Sequence, residues 1–154
     1  MSVIDQVLMQ EALKLAHEAA KKEEVPVGAV ITHRNKIIAR AHNQVEMLKD
    51  PTAHAEMIAI TQAASYLSSK WLTECTLYVT IEPCSMCTGA LILARIKRLC
   101  FGARDPKTGA CGSVVNLARH NRLNHVIEVS GEILSNECGQ VLSQFFQKKR
   151  KQSR

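Results

Sequence analysis

No stretch of this 154-residue chain is apolar for long enough to cross a membrane. Its first residues carry no charged leader, no apolar run and no small-residue cleavage site. These absences exclude a spanning helix and give no sign of export, so a cytoplasmic protein is expected. Internal repeats, low-complexity tracts and Gly/Ser linkers are lacking too. Residues 1–154 therefore read as one domain, large enough to bury a full core without staples. In a reducing compartment the six cysteines, at 75, 84, 87, 100, 111 and 138, are expected to ligate metal or be buried rather than paired.

Acid is almost missing from two stretches. Lys148 to Arg154 carries five basic residues and no acid, and Arg95 to Arg122 carries seven against Asp105 alone. They contribute +5 and +6 to a net charge of +6, which leaves −5 for the rest of the chain. Such segregation fits a surface that meets a polyanion, and it fits equally a solvated helix end with a solubility tail.

Apolar residues at 4, 7, 8, 12, 15, 16 and 19 predict an amphipathic helix over Ile4 to Glu23. Val25 to Ile31 and Ile37 to Ala41, around a polar His33 to Lys36 turn, predict a hairpin. Helical segments are expected over His54 to Ile60, Cys84 to Ala94, Ser113 to His120 and Ser135 to Lys149. Strands are expected over Thr76 to Thr80, Lys97 to Phe101 and Val126 to Val129. This alternation predicts a layered α/β fold, and the early hairpin makes the sheet mixed.

Two short segments carry the chemistry: His54-Ala55-Glu56 and Pro83-Cys84-Ser85-Met86-Cys87. A Cys-x-x-Cys at a helix start sets both sulfurs on one face near free N–H groups, which favours the thiolate that binds metal. His54, from the first turn of another helix, completes a Cys₂His set suited to zinc. Three protein ligands leave a fourth position open to water, as a catalytic zinc requires. Glu56, two residues beyond His54, is placed to take a proton from that water. Taken singly, Cys-x-x-Cys also fits a redox pair or half of a zinc knuckle, and His-x-Glu is common. Cys75, Cys100, Cys111 or Cys138 would close the site if one supplied a fourth ligand.

His-x-Glu followed by Pro-Cys-x-x-Cys is the pattern of zinc nucleobase deaminases. Through it the chain resembles the cytidine deaminase-like superfamily. Within that superfamily it is similar to the bacterial tRNA-specific adenosine deaminases, which turn the wobble adenosine into inosine. The likeness runs through Glu24 to Val30, Asn43, Asp50 to Glu56, Leu77 to Cys87, Phe101 to Gly109 and the Phe145-Phe146 pair. It implies a three-layer α/β/α cytidine deaminase-like fold with a mixed central sheet.

The resemblance further implies one Zn2+ per subunit, held by His54, Cys84 and Cys87, with Glu56 as proton shuttle. The Ala55 N–H, read as free at a helix start, would bind the attacking oxygen. Asn43 would contact the target nucleoside, and Val27 and Pro83 would help line the base pocket. The partner implied is a tRNA anticodon stem-loop, with no membrane involved. Phe145, Phe146 and Arg150 would hold its splayed bases, and Arg104 and Lys107 would contact it from a loop. A homodimer is expected, in which Arg104 and Lys107 act across the interface. Two rivals stand beside this reading. One is a deaminase of a free base or nucleoside, of guanine or cytosine type; the other is a non-catalytic RNA-binding module with a structural zinc.

Overall fold

The computed structural model describes residues 2–153; Met1 and Arg154, the last basic residue of the tail, lie outside the described residues. Ser2 caps helix α1 (Val3–Lys21), its hydroxyl accepting the Asp5 N–H at 3.0 Å. One apolar stripe of α1 is buried through Leu8, Met9, Ala12, Ala16 and Ala19. Strands β1 (Gly28–His33) and β2 (Lys36–His42) follow as the expected hairpin. Arg34 and Asn35 turn it with φ of 52° and 65°, the left-handed geometry that suits a two-residue connection. The chain continues through α2 (Val45–Leu48), α3 (Ala55–Leu67), β3 (Cys75–Ile81), α4 (Ser85–Leu93), β4 (Arg98–Ala103), β5 (Glu128–Ser130) and α5 (Ser135–Gln152).

The sheet order is β2-β1-β3-β4-β5. β1 runs antiparallel to β2 and β3, whereas β3, β4 and β5 are parallel, so the sheet is mixed as expected. Alternation along β1 sends Ala29 and Ile31 to one face, packed with Ala55, Ala59, Ala63 and Leu91 of α3 and α4. Val30 points the other way, towards Leu8, Met9 and Ala12 of α1 and Cys138 of α5. The result is the three-layer α/β/α arrangement. Gly28 permits the close seat of α1 on β1, since a Cβ there would fall on the Ala12 carbonyl oxygen and the Ala16 nitrogen.

This topology brings one edge of the sheet together. The start of β1, the end of β2 and the ends of β3 and β4 all meet there. Val27, Asn43, Glu82, Cys84 and Asp105 sit just beyond those strand ends. Crevices outside the carboxyl ends of strands are where open α/β sheets bind ligands.

At the other face, Asp5 pins α1 to the sheet. Its carboxylate accepts two bonds from the Arg98 guanidinium, both 2.8 Å, and one from the Tyr78 hydroxyl at 2.7 Å. The Arg98 hydrogen bond is the main reason its carboxyl titrates down at about 2. A carboxyl held below its unfolded value stabilises the fold above that value and loses the contribution as pH falls through the folded one. Stability should therefore drop by about 2 kcal/mol from this group between about pH 4 and pH 2. Urea unfolding of the wild type and Asp5→Asn checks this: the gap between the two should close across that window. A constant gap would remove Asp5 as its source.

The structure departs from expectation at two places. Residues 113–120 are not helical. Ser113 is captured by the Glu82 side chain, while the Gly112 N–H donates to Val115 and the Leu117 N–H to Ala110, so the segment folds as turns. The short α2 was not expected; its N–H groups at Glu46 and Met47 donate to the buried Glu24 carboxylate at 2.9 and 2.7 Å.

Candidate active site

Two helix N-termini meet at the shared edge. His54 is the N-cap of α3 and Cys84 the N-cap of α4, both in extended backbone geometry. Neither side chain caps its own helix, which leaves imidazole and thiol free to face each other. His54 Nδ1 lies 3.7 Å from Cys84 Sγ and 3.5 Å from Cys87 Sγ, and the three ligand atoms all lie within 4.8 Å of one another. A tetrahedral zinc with ordinary Zn–N and Zn–S bonds separates nitrogen and sulfur ligands by about 3.6 Å. The three residues therefore fit a zinc ion. Among the described residues no fourth His, Cys, Asp or Glu joins the group. Cys75, Cys100, Cys111 and Cys138 are buried elsewhere, Cys111 with its sulfur 3.4 Å from the Thr88 hydroxyl.

Hydrogen bonds from Cys87 and His54 pull the Cys84 thiol down to about 4. The bond to Cys84, together with burial, pushes the Cys87 thiol up. The lowered Cys84 thiol favours the deprotonated sulfur that a divalent cation takes, and binding a metal releases the protons its ligands still carry. Its bond to Cys84 raises the His54 imidazole. Glu56, in the first turn of α3, is 3% exposed. Burial pushes its carboxyl up, although its own N–H and the charge of His54 oppose the shift. A carboxyl perturbed in this way, beside a metal-ligand cluster, is suited to carrying protons.

Asn43 corrects one expectation. The Ala55 N–H is not free: it donates to Asn43 Oδ1 at 2.8 Å, and Ala55 is fully buried. The bond fixes the Asn43 amide with its oxygen inward, leaving the Nδ2 hydrogens as its donor end. Asn43 is held further by its N–H to the Val27 carbonyl and by its own carbonyl, which accepts from His42 Nδ1 at 2.8 Å.

A cavity of about 580 Å³ opens over the cluster. His54, Glu56 and Cys84 line it, with Val27, Asn43 and Ile81 beside them. Phe145, Phe146 and Lys149 of α5 also line it, as do Asp105 and Thr108 from the loop after β4. The two phenyl rings meet edge to face at 5.4 Å, and the Lys149 ammonium lies 5.6 Å from the Phe145 ring centre. Phe146 is 43% exposed, so the aromatic pair presents a surface as well as a wall.

The structure does not bring every expected residue to this cavity. Pro83 is buried outside the lining, its carbonyl accepting the Ala110 N–H. Arg104 lies 5.4 Å from the Phe101 ring centre and pairs with Glu132 at 3.4 Å. Lys107 and Arg150 are exposed away from the cavity, and Cys87 is buried behind it. Lys149 was missed. Its i, i+4 spacing from Phe145 would have placed it on the aromatic face of α5. Asp105, Thr108 and Glu82 were missed because only the topology brings the loop after β4 beside β3.

A three-layer mixed sheet with a Cys₂His cluster and a buried glutamate at its edge defines a nucleobase deaminase of the cytidine deaminase-like class. The model of the MafB19-like deaminases matches residues 4–150. A tRNA-specific adenosine deaminase of Bacillus subtilis (strain 168) is 47% identical over 150 residues, covering 97% of this chain and 93% of its own. The solved structure of a tRNA:A34 deaminase, acting in A-to-I editing at the wobble position, superposes with a TM-score of 0.85 at 40% identity. That match covers 88% of this chain and 99% of the other. A guanine deaminase from Bacillus subtilis matches at 39% identity, but with a TM-score of 0.62 over 68% of this chain and 66% of its own. The chain belongs to the family of tRNA-specific adenosine deaminases.

Proposed function

We propose that this chain hydrolyses the wobble adenosine of a tRNA anticodon loop to inosine, with one zinc per subunit held by His54, Cys84 and Cys87. The observation that carries the reading is the Glu56 carboxyl, buried beside the Cys₂His cluster in a cavity with aromatic and cationic lining. Zinc, when bound, supplies the Lewis acidity that makes water a nucleophile near neutral pH. Glu56 takes one proton as the water oxygen bonds to C6 of the adenine, and delivers it to ring nitrogen N1. Glu56 next passes the second water proton to the amine, so that the C6–N bond breaks and ammonia leaves. Asn43, its oxygen engaged by Ala55, offers its Nδ2 hydrogens to an acceptor on the nucleoside. Val27 supports the base, and the walls exclude bulk water from it.

The flanking nucleotides must be splayed for the adenine to enter, and Phe145 and Phe146 offer ring faces for them. Lys149 meets the adjoining phosphate, with Arg150, Arg104 and Lys107 reaching RNA outside the cavity. The fit of a homodimer rests on an apolar groove of about 570 Å³ along α4, lined by Met57, Gly89, Leu93 and Leu123 among others. No helix among the described residues is long and apolar enough to cross a membrane. We place the protein in the cytoplasm, with residues 1–154 as one deaminase domain ending in a basic helix.

The deciding experiment offers the zinc-loaded protein an anticodon stem-loop with adenosine at the wobble position, alongside free adenosine, cytidine and guanine. Inosine in the RNA alone supports the reading; turnover of a free base with the RNA untouched removes it. Lys149→Glu should raise KM for the stem-loop about tenfold and flatten its log-log salt dependence by about one unit per lost phosphate contact. An unchanged KM would take Lys149 out of the RNA surface.

A further inference from the structure

Glu82 follows the last residue of β3 and precedes Pro83-Cys84. It is 1% exposed, and its acceptor positions are filled from one loop. Oε1 accepts the Asp105 N–H at 3.1 Å and the Ser113 hydroxyl; Oε2 accepts the Cys111 and Ser113 N–H groups, both at 3.0 Å. Only an ionised carboxylate suits this set, because an amide would turn one acceptor into a donor facing another donor. Gly109 lies against the same group, since a Cβ there would fall on the Glu82 carboxyl.

The loop so gathered is ordered at both ends. Asp105 closes its own turn by accepting from the Lys107 and Thr108 N–H groups and the Thr108 hydroxyl. The Ala110 N–H donates to the Pro83 carbonyl at 2.8 Å, which lays the loop on the turn that carries Cys84. Asp105 and Thr108 line the cavity. No regular helix or strand holds residues 104–113, so their order depends on these bonds.

We propose that Glu82 is a positioning residue: it docks the 104–113 loop onto the Cys84 turn, so that Asp105 and Thr108 form a fixed wall against the bound nucleotide. This rests on the function proposed above. The same carboxylate spans two roles, since it follows the strand that leads to Cys84 and holds a loop that borders the substrate. Its loss should loosen the wall first and show in substrate binding more than in the chemical step.

Glu82→Gln in the zinc-loaded protein tests it, with amide hydrogen exchange at Asp105, Cys111 and Ser113 and kinetics on the stem-loop. Exchange at those amides should accelerate by at least about tenfold. KM should rise about tenfold, with kcat within about threefold of wild type and zinc retained. Unchanged exchange and KM would overturn the proposal. So would a fall in zinc content and kcat at constant KM, which would make Glu82 a prop for the metal turn alone. If Glu82→Gln does not fold, Ser113→Ala carries the test, because it deletes the hydroxyl and keeps the three N–H donors. It should raise KM about threefold, and no change would overturn the proposal. A wild type that leaves RNA untouched sinks the function reading, and the exchange rates then decide the role of Glu82 without it.

Discussion

Glu56→Ala should lower single-turnover inosine formation by about a thousandfold or more, while zinc content stays at one per chain. General acid–base groups contribute typically 10²–10⁴ in rate, and here one carboxyl serves both proton transfers. The metal should survive because Glu56 lies outside the three-ligand group. Folding should survive as well. Glu56 is a buried carboxyl whose titration is pushed up by burial, so the native state carries an ionisable group that it solvates poorly. Its removal relieves that cost and leaves a small cavity, two effects of opposite sign. The melting temperature is therefore expected to stay level or rise slightly, as happens where activity requires a destabilising group. Zinc analysis, thermal melting and single-turnover kinetics on one preparation check all three. A variant that keeps more than about a tenth of wild-type turnover would remove Glu56 as the shuttle.

Much of this site was legible in the sequence because its parts are local. His54 and Glu56 are two residues apart at one helix start, and Cys84 and Cys87 three apart at another, so each pair is held close by a few bonds of chain whatever the rest of the fold does. The layered fold was legible for a similar reason: the stripe of α1 and the alternation of β1 are one-dimensional patterns. What stayed hidden is set by contacts across the chain. The Ala55 N–H looks unengaged from its place at a helix start, but the partner that takes it, Asn43, comes from the end of β2. Ser113 to His120 has enough apolar residues to suggest a helix, yet Glu82, some thirty residues earlier, holds its first residue in a turn. Arg104 and Lys107 belong to a basic stretch that invites an RNA role, yet neither lines the cavity, and Arg104 pairs with Glu132 at the surface beside it. Charge along a chain shows that a basic surface exists. Which residues reach the cavity depends on the direction of each strand end.

Metal removal should produce the other large effect, and it separates the two cysteines from the rest of the chain. Chelation is expected to abolish turnover and to lower the melting temperature. A ligand present at a thousand times its dissociation constant stabilises by about 4 kcal/mol. At about 2–4 °C per kcal/mol for a domain of this size, the melting temperature should fall by about 10 °C. Re-added zinc should restore both in the wild type. Cys87→Ser should mimic the chelated protein and resist rescue by equimolar zinc. Cys87 is fully buried, and a serine there would replace a thiolate with a hydroxyl that stays protonated near neutral pH and is a poorer zinc ligand. Cys138→Ser provides the contrast. It too is fully buried, but it packs between α5 and the sheet on the far face, away from His54. That variant should lose stability through a misplaced polar group while binding zinc as the wild type does. If Cys87→Ser keeps its zinc, the three-ligand reading fails whatever the variant does to activity. If Cys138→Ser loses its zinc while folded, the metal does not sit where His54, Cys84 and Cys87 meet.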